Sequence, residues 1–294
     1  MSKTPPQEAP LPRGPVRIPD LRVKKARGER IVMVTAYNFP TAEVAEETGV
    51  DLVLAGDTAA TTVLGYPSTV PVTMEEMLML TQAVRRGLRT PLLVGDLPFG
   101  TYELSHTQAV ASAVRMVKEG GADIVKFEGP DGRRARAIVD AGIPVMGHLG
   151  LTPQTATTLG WGFKTQARSA AAAAKLLRDA LGLRDAGCCA LVLEAVPREV
   201  AAVVTQYLDI PTIGVGAGPD CDGQVLVLND LLGIFNTFKP RFVKRYAELR
   251  REMLDAVGTY AAEVRTGQFP TDEHCYTIDP HELHEFVSAL APDG

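Results

Sequence analysis

Six polar residues stand where short apolar runs end. Asp57 closes DLVLAGD, Asp96 falls late in PLLVGDLP, and Lys126 and Glu128 end DIVKFEG. His148 lies in IPVMGHLG and Glu194 in ALVLEAV. Residues two apart on a strand face the same side, so the Lys126 amine and the Glu128 carboxylate project together. Burying that pair at the tip of an apolar strand is costly unless something uses the charges. One acidic strand end is usually the cap of the next loop. Acidic ends on consecutive units point to a shared site if the fold gathers them. Asp57, Asp96 and Glu128, converged without a cation, would repel one another and stay partly protonated. A hard divalent cation resolves this, and oxygen donors with neither a Cys pair nor clustered His favour magnesium or a similar ion over zinc or copper. Lys126 beside them is placed to meet an anionic substrate. His148 reads either as a satisfied strand-end histidine or as a contact for substrate or proton.

The elements that must position these residues repeat one unit: a β-branched run, a loop, then an amphipathic helix. Strands are expected at 31–37, 51–57, 91–98, 123–129, 143–150, 190–196 and 211–218. GQVLVLNDLLGIF reads as a further strand or a short helix, and RFVKRY as the eighth strand. Thr73 and Glu76 have the spacing of a capping box, and Gly49 can close the helix that follows the first strand. Continuous apolar strands alternating with helices imply a parallel sheet covered on both faces. About eight units argue for a (β/α)8 TIM barrel, whose C-terminal strand ends form one mouth where active sites are built. A doubly wound open sheet fits less well, because no GxGxxG follows the first strand.

The 294 residues suffice for a Pro-rich arm over 1–28, one barrel over 29–267 and a tail over 268–294. A net charge of −5, without a basic run, argues against a nucleic-acid surface. Four cysteines without a CxxC pair indicate neither a zinc knuckle nor a disulfide framework, and suggest a reduced, cytoplasmic chain. The N-terminal arm lacks the apolar region of a signal peptide, and no uncharged apolar run reaches membrane-span length. His281 and His284 are read as a solvated helix face, the pairs Arg85–Arg86 and Arg133–Arg134 as exposed helix charges, and Cys188 and Cys189 as small core residues. GVGAGPDCDG reads either as an anion cradle or as a turn.

The motifs TAYNFPTA, LAGDTAATTVLGYPSTVPVT, GDLPFGTY, VKFEG, GHLGLTPQT, LVLEAVP and IGVGAGPDCDGQVLV occur in this order. With them the chain, from about Val32 to His274, resembles the ketopantoate hydroxymethyltransferase family. The resemblance implies a (β/α)8 barrel of the phosphoenolpyruvate/pyruvate superfamily. It implies transfer of a hydroxymethyl group from 5,10-methylenetetrahydrofolate to 3-methyl-2-oxobutanoate, giving 2-dehydropantoate in pantothenate synthesis. It implies Mg2+ on Asp57, Asp96 and Glu128, the 2-oxoacid on Asp57, Thr58, Asp96 and Lys126, and Glu194 as proton acceptor. It also implies a cytoplasmic homo-oligomer, typically a decamer, with no nucleic-acid or membrane partner. Thr58 stands where many relatives have Ser, Pro67 where Asp is common and Asn229 where His is frequent; LGWGFKTQAR also departs from the usual pattern. None of these removes a ligand or the base. Trp161 is read as lining the folate entrance or, more simply, as packing. Two other readings remain: a related lyase or mutase acting on a 2-oxoacid without folate, and a catalytically silent barrel that binds a metabolite.

Overall fold

The computed structural model describes residues 14–156, 164–235 and 240–290. Eight parallel strands close into a barrel in chain order: β1 (Ile31–Thr35), β2 (Leu52–Ala55), β3 (Leu92–Asp96), β4 (Ile124–Glu128), β5 (Val145–Gly150), β6 (Ala190–Glu194), β7 (Thr212–Val215) and β8 (Gly223–Leu226). Helices follow around them: α1 (Ile18–Arg27), α2 (Phe39–Thr48), α3 (Ala59–Thr62), α4 (Met74–Gly87), α5 (His106–Lys118), α6 (Gly132–Asp140), α7 (Pro153–Ala156), α8 (Ala170–Asp185), α9 (Arg198–Tyr207) and α10 (Leu228–Leu231). The period-2 alternation divides each strand between two cores. Ile124, with alternate residues such as Leu52, Leu54 and Val192, fills the barrel interior. Val125 and Phe127 face outward into a second cluster with Met116 and Ile138 of the surrounding helices. Lys126 and Glu128 share the inward parity of Ile124, so the strand that builds the core also aims both charges into the mouth.

Local signals act as the chain suggests. Thr73 accepts from the Glu76 backbone N–H at 3.2 Å, and Glu76 accepts in return from the Thr73 N–H at 2.8 Å. Gly49 ends α2 in the left-handed region, at φ 68°.

Several expectations change. The described part of the 1–28 arm holds a helix, α1, because Leu21 is fully buried in the barrel-interior cluster, with Lys24 and Lys25 reaching Asp51 and Asp222 at 2.6 and 2.7 Å. GQVLVLNDLLGIF is both alternatives in succession, β8 then α10, and RFVKRY contains no strand. The eighth strand comes early because residues 216–222 return from β7 to β8 without a helix. GVGAGPDCDG is therefore this crossover: Gly216 and Gly218 take φ of 65° and 85°, and Asp222 is spent on Lys25 and the Thr212 N–H. Arg85 and Arg134 are not free surface charges. Arg85 pairs with Asp123 at 3.0 Å, and the Arg134 guanidinium lies over the Tyr102 ring at 5.4 Å.

The chain divides into compact units between Tyr246 and Ala247. The second unit holds α11 (Leu249–Thr266) and α12 (Pro280–Ala289). α11 has no buried residue, unlike the helices that coat the barrel. His281 and His284 are exposed, as expected. Among the described residues, no helix is long and apolar enough to cross a membrane.

Candidate active site

The mouth of the barrel gathers every strand-end residue singled out from the sequence. Asp57, Asp96, Lys126, Glu128, His148 and Glu194 line one cavity, and Thr58 borders it. Asp57 sits two residues beyond β2, where the chain turns into α3, and its backbone N–H donates to Asp96 Oδ2 at 3.2 Å. Asp96 Oδ1 accepts from Lys126 Nζ at 2.7 Å, with both side chains at most 4% exposed. The ion pair joins the neighbouring strands β3 and β4, on which Asp96 and Lys126 are in register. Glu128 Oε2 accepts from the Gln154 backbone N–H at 3.0 Å. Tyr37 and Thr58 share a hydroxyl hydrogen bond of 2.6 Å. The neighbouring N–H groups of Ala59 and Ala60 are already spent on the Gly56 and Asp57 carbonyls.

Four carboxylates surround one ammonium, and the protonation equilibria respond. Burial, then repulsion by Asp96, raises the Asp57 carboxyl to about 7. Burial and Asp57 hold Glu128 well above the usual carboxylate range. Burial also lifts Glu194 to about 7, although Lys126 pulls the other way. For Lys126, burial favours the neutral amine, but Asp96, Glu128 and Asp57 outweigh it and keep the ammonium. His148 is pushed well below its ordinary value by burial and then by Lys126, so its ring is neutral. Its Nε2 lies 3.2 Å from Glu194 Oε2 and its Nδ1 lies 3.5 Å from Glu128 Oε1. Both ring nitrogens thus face carboxylates of the mouth.

These observations test whether a cation fits. Asp57, Asp96 and Glu128 present only oxygen, are buried, and carry more negative charge than Lys126 can balance. A hard divalent ion matches that donor set and would relieve the repulsion that lifts Asp57.

Two residues of the site were not singled out from the sequence. Gln154, fully buried in α7, donates through Nε2 to Asp57 Oδ2 and to the Leu97 carbonyl, both at 3.0 Å. Tyr102 donates its hydroxyl proton to Gln154 Oε1 and accepts from the Glu128 N–H at 3.3 Å. Both lie inside the quoted motifs GHLGLTPQT and GDLPFGTY, but no charge marked them. Of the departures, Asn229 donates to the Thr62 carbonyl at 3.2 Å, which ties α10 to α3. Trp161 lies outside the described residues.

The family model described as ketopantoate hydroxymethyltransferase matches residues 15–272. A 3-methyl-2-oxobutanoate hydroxymethyltransferase of Moorella thermoacetica is 54% identical, over 90% of this chain and 98% of that protein. One of the same name from Nitratidesulfovibrio vulgaris is 48% identical, over 99% and 96%. Among solved structures, a phosphonopyruvate hydrolase complexed with oxalate and Mg2+ superposes with a TM-score of 0.57 at 14% identity, covering 94% of this chain and 98% of that one. A 2,3-dimethylmalate lyase of the PEP mutase/isocitrate lyase superfamily gives 0.56 at 16% identity, covering 93% and 99%. These two share the fold. The match over most of the chain, with close identity to enzymes of one name, establishes that this chain is an enzyme belonging to the ketopantoate hydroxymethyltransferase family.

Proposed function

We propose that the enzyme takes a hydroxymethyl group from 5,10-methylenetetrahydrofolate and adds it to 3-methyl-2-oxobutanoate, giving 2-dehydropantoate. We assign a magnesium ion to Asp57, Asp96 and Glu128. The observation that carries the reading is the gathering of three buried acids, Lys126 and Glu194 around one cavity. When bound, the cation would supply electrophilic polarisation of the keto group and stabilise the charge that develops on its oxygen. The protein's own groups do the rest. Lys126, kept charged by its acidic neighbours, offsets the substrate carboxylate. The Thr58 hydroxyl, fixed by Tyr37, orients that carboxylate.

Glu194 takes the proton from the carbon next to the keto group. An ordinary glutamate is a weak base for a carbon acid, but burial brings Glu194 to about 7, in the range suited to general-base work at neutral pH. Its side chain is 17% exposed, so the proton has a route to solvent. Neutral His148, 3.2 Å away, is a second station for it. Val192, Val215 and Val225 line the cavity as an apolar wall that suits the alkyl end of the substrate. That carbanion attacks the one-carbon unit; one water supplies the hydroxyl oxygen, and tetrahydrofolate leaves.

The test is incubation with magnesium, the oxoacid and the folate, with 2-dehydropantoate read by mass spectrometry. Omitting either the folate or the metal should abolish product. Turnover of the oxoacid without folate would replace this reading with a lyase or mutase. The cytoplasmic setting and a homo-oligomer, a decamer in the family, belong to the same proposal; sedimentation velocity checks the assembly.

A further inference from the structure

Gln154 touches two of the acids, one through its backbone and one through its side chain. Its backbone N–H donates to Glu128 at 3.0 Å, and its side-chain amide donates to Asp57 at 3.0 Å. The remaining amide hydrogen goes to the Leu97 carbonyl at 3.0 Å, and the amide oxygen accepts from the Tyr102 hydroxyl. The Leu97 carbonyl can only accept, so the nitrogen must face it, and the amide has a single orientation. Leu97 follows β3, Asp57 follows β2, Glu128 ends β4, and Gln154 itself follows β5. One fully buried glutamine, through its side-chain amide and its backbone N–H together, therefore links the tips of four consecutive strands. Its bond to Asp57 Oδ2 sets the rotation of that carboxylate and turns Oδ1 away from the amide. The bond to Glu128 Oε2 does the same for Oε1. Neither bond places a further charge among the acids.

We propose that Gln154, clamped by Tyr102, is a positioning residue that fixes Asp57 and Glu128 in the arrangement that receives the divalent cation. It contributes no ligand of its own. The inference rests on the magnesium assignment above. It predicts that loss of the amide weakens cation binding more than it weakens the fold, because Asp57 stays present but loses the bond that orients it, while the backbone N–H on Glu128 is kept.

The experiment measures Mn2+ affinity by electron paramagnetic resonance and Mg2+ affinity by calorimetry, both without substrate, on the wild-type full chain, Gln154→Leu, Tyr102→Phe and the double variant. Urea unfolding of the metal-free proteins is followed in parallel. Gln154→Leu keeps the volume and should raise the dissociation constant about tenfold to a hundredfold, the size of effect seen for groups that orient metal ligands. Tyr102→Phe should raise it in the same direction by less. The loss in the double variant should fall short of the sum of the two single losses, since the hydroxyl acts in part through the amide and in part on the Glu128 N–H. Equal affinity in wild type and Gln154→Leu, or additive losses in the double variant, would overturn the inference. If Gln154→Leu does not fold, Tyr102→Phe decides alone: unchanged affinity rejects the clamp. If the wild type binds neither ion, the magnesium assignment fails, and this inference falls with it.

Discussion

Both ends of the barrel carry acids, under opposite conditions. At the N-terminal end, Asp51, Asp123 and Asp222 each precede a strand. They accept the backbone N–H of Val32, Leu93 and Thr212, on the adjacent strands, at 2.9, 2.8 and 2.8 Å. Each also meets its own cation, Lys24, Arg85 or Lys25. Cys189 holds the same place before β6, and its thiol reaches the Val145 carbonyl at 3.2 Å. At the mouth, Asp57, Asp96, Glu128 and Glu194 gather around Lys126 alone, and Asp57 and Glu194 rise to about 7. An acid with a private cation and a backbone donor is a staple between strands. Acids crowded around one ammonium are left with charge that a bound cation would offset. The distinction lies in the partners rather than in the residue type.

The largest effect expected from this contrast is catalytic. Glu194→Gln should lower kcat by about 10²–10⁴ with no loss of stability. Steady-state kinetics and thermal melts check both halves, and a variant that loses stability instead would put Glu194 among the staples. Next comes the opposite end. Asp51→Ala strands Lys24 and the Val32 N–H, and should cost about 3 kcal/mol in urea unfolding, with activity per folded molecule unchanged.

Asp57→Asn should do the reverse. An acid whose folded pKa is raised is penalised when ionised, so the penalty is absent below the unfolded value near 4. It grows as pH rises toward about 7 and is complete above that. Removing the charge should therefore stabilise the metal-free protein at pH 8 by on the order of 1–3 kcal/mol, with no gain at pH 4, and should strip away magnesium affinity. Unfolding curves at the two pH values settle the sign. The smallest effect is a slope. Magnesium must displace protons from Asp57 and Glu128, so its affinity should fall about tenfold per pH unit below pH 7 for each proton released. A flat profile in calorimetry would mean that the ion binds elsewhere.

Much of this was legible in the chain. DIVKFEG shows the strand and both charges at once, because parity two is a property of the extended backbone and needs no tertiary context. The polar strand ends were likewise readable, since a parallel barrel leaves no alternative for where they converge. Boundaries were less so. RFVKRY has the composition of a strand, but the short glycine-assisted return between β7 and β8 had already supplied the eighth. The Pro-rich opening gave no hint that Leu21 enters the barrel-interior cluster. Gln154 and Tyr102 escaped notice because a neutral amide and a phenol become informative only when their partners, far apart in sequence, are known.

The sequence by itself determined the alternation of strand and helix, the inward parity of Lys126 and Glu128, and the identity of the acids at the mouth. These follow from local periodicity and residue chemistry. Tertiary structure alone decided which acids became staples and which were left crowded, that His148 lies between Glu128 and Glu194, and that one glutamine ties four strand tips together. Those outcomes depend on distances between residues that the chain separates by tens of positions, and no local pattern encodes such distances.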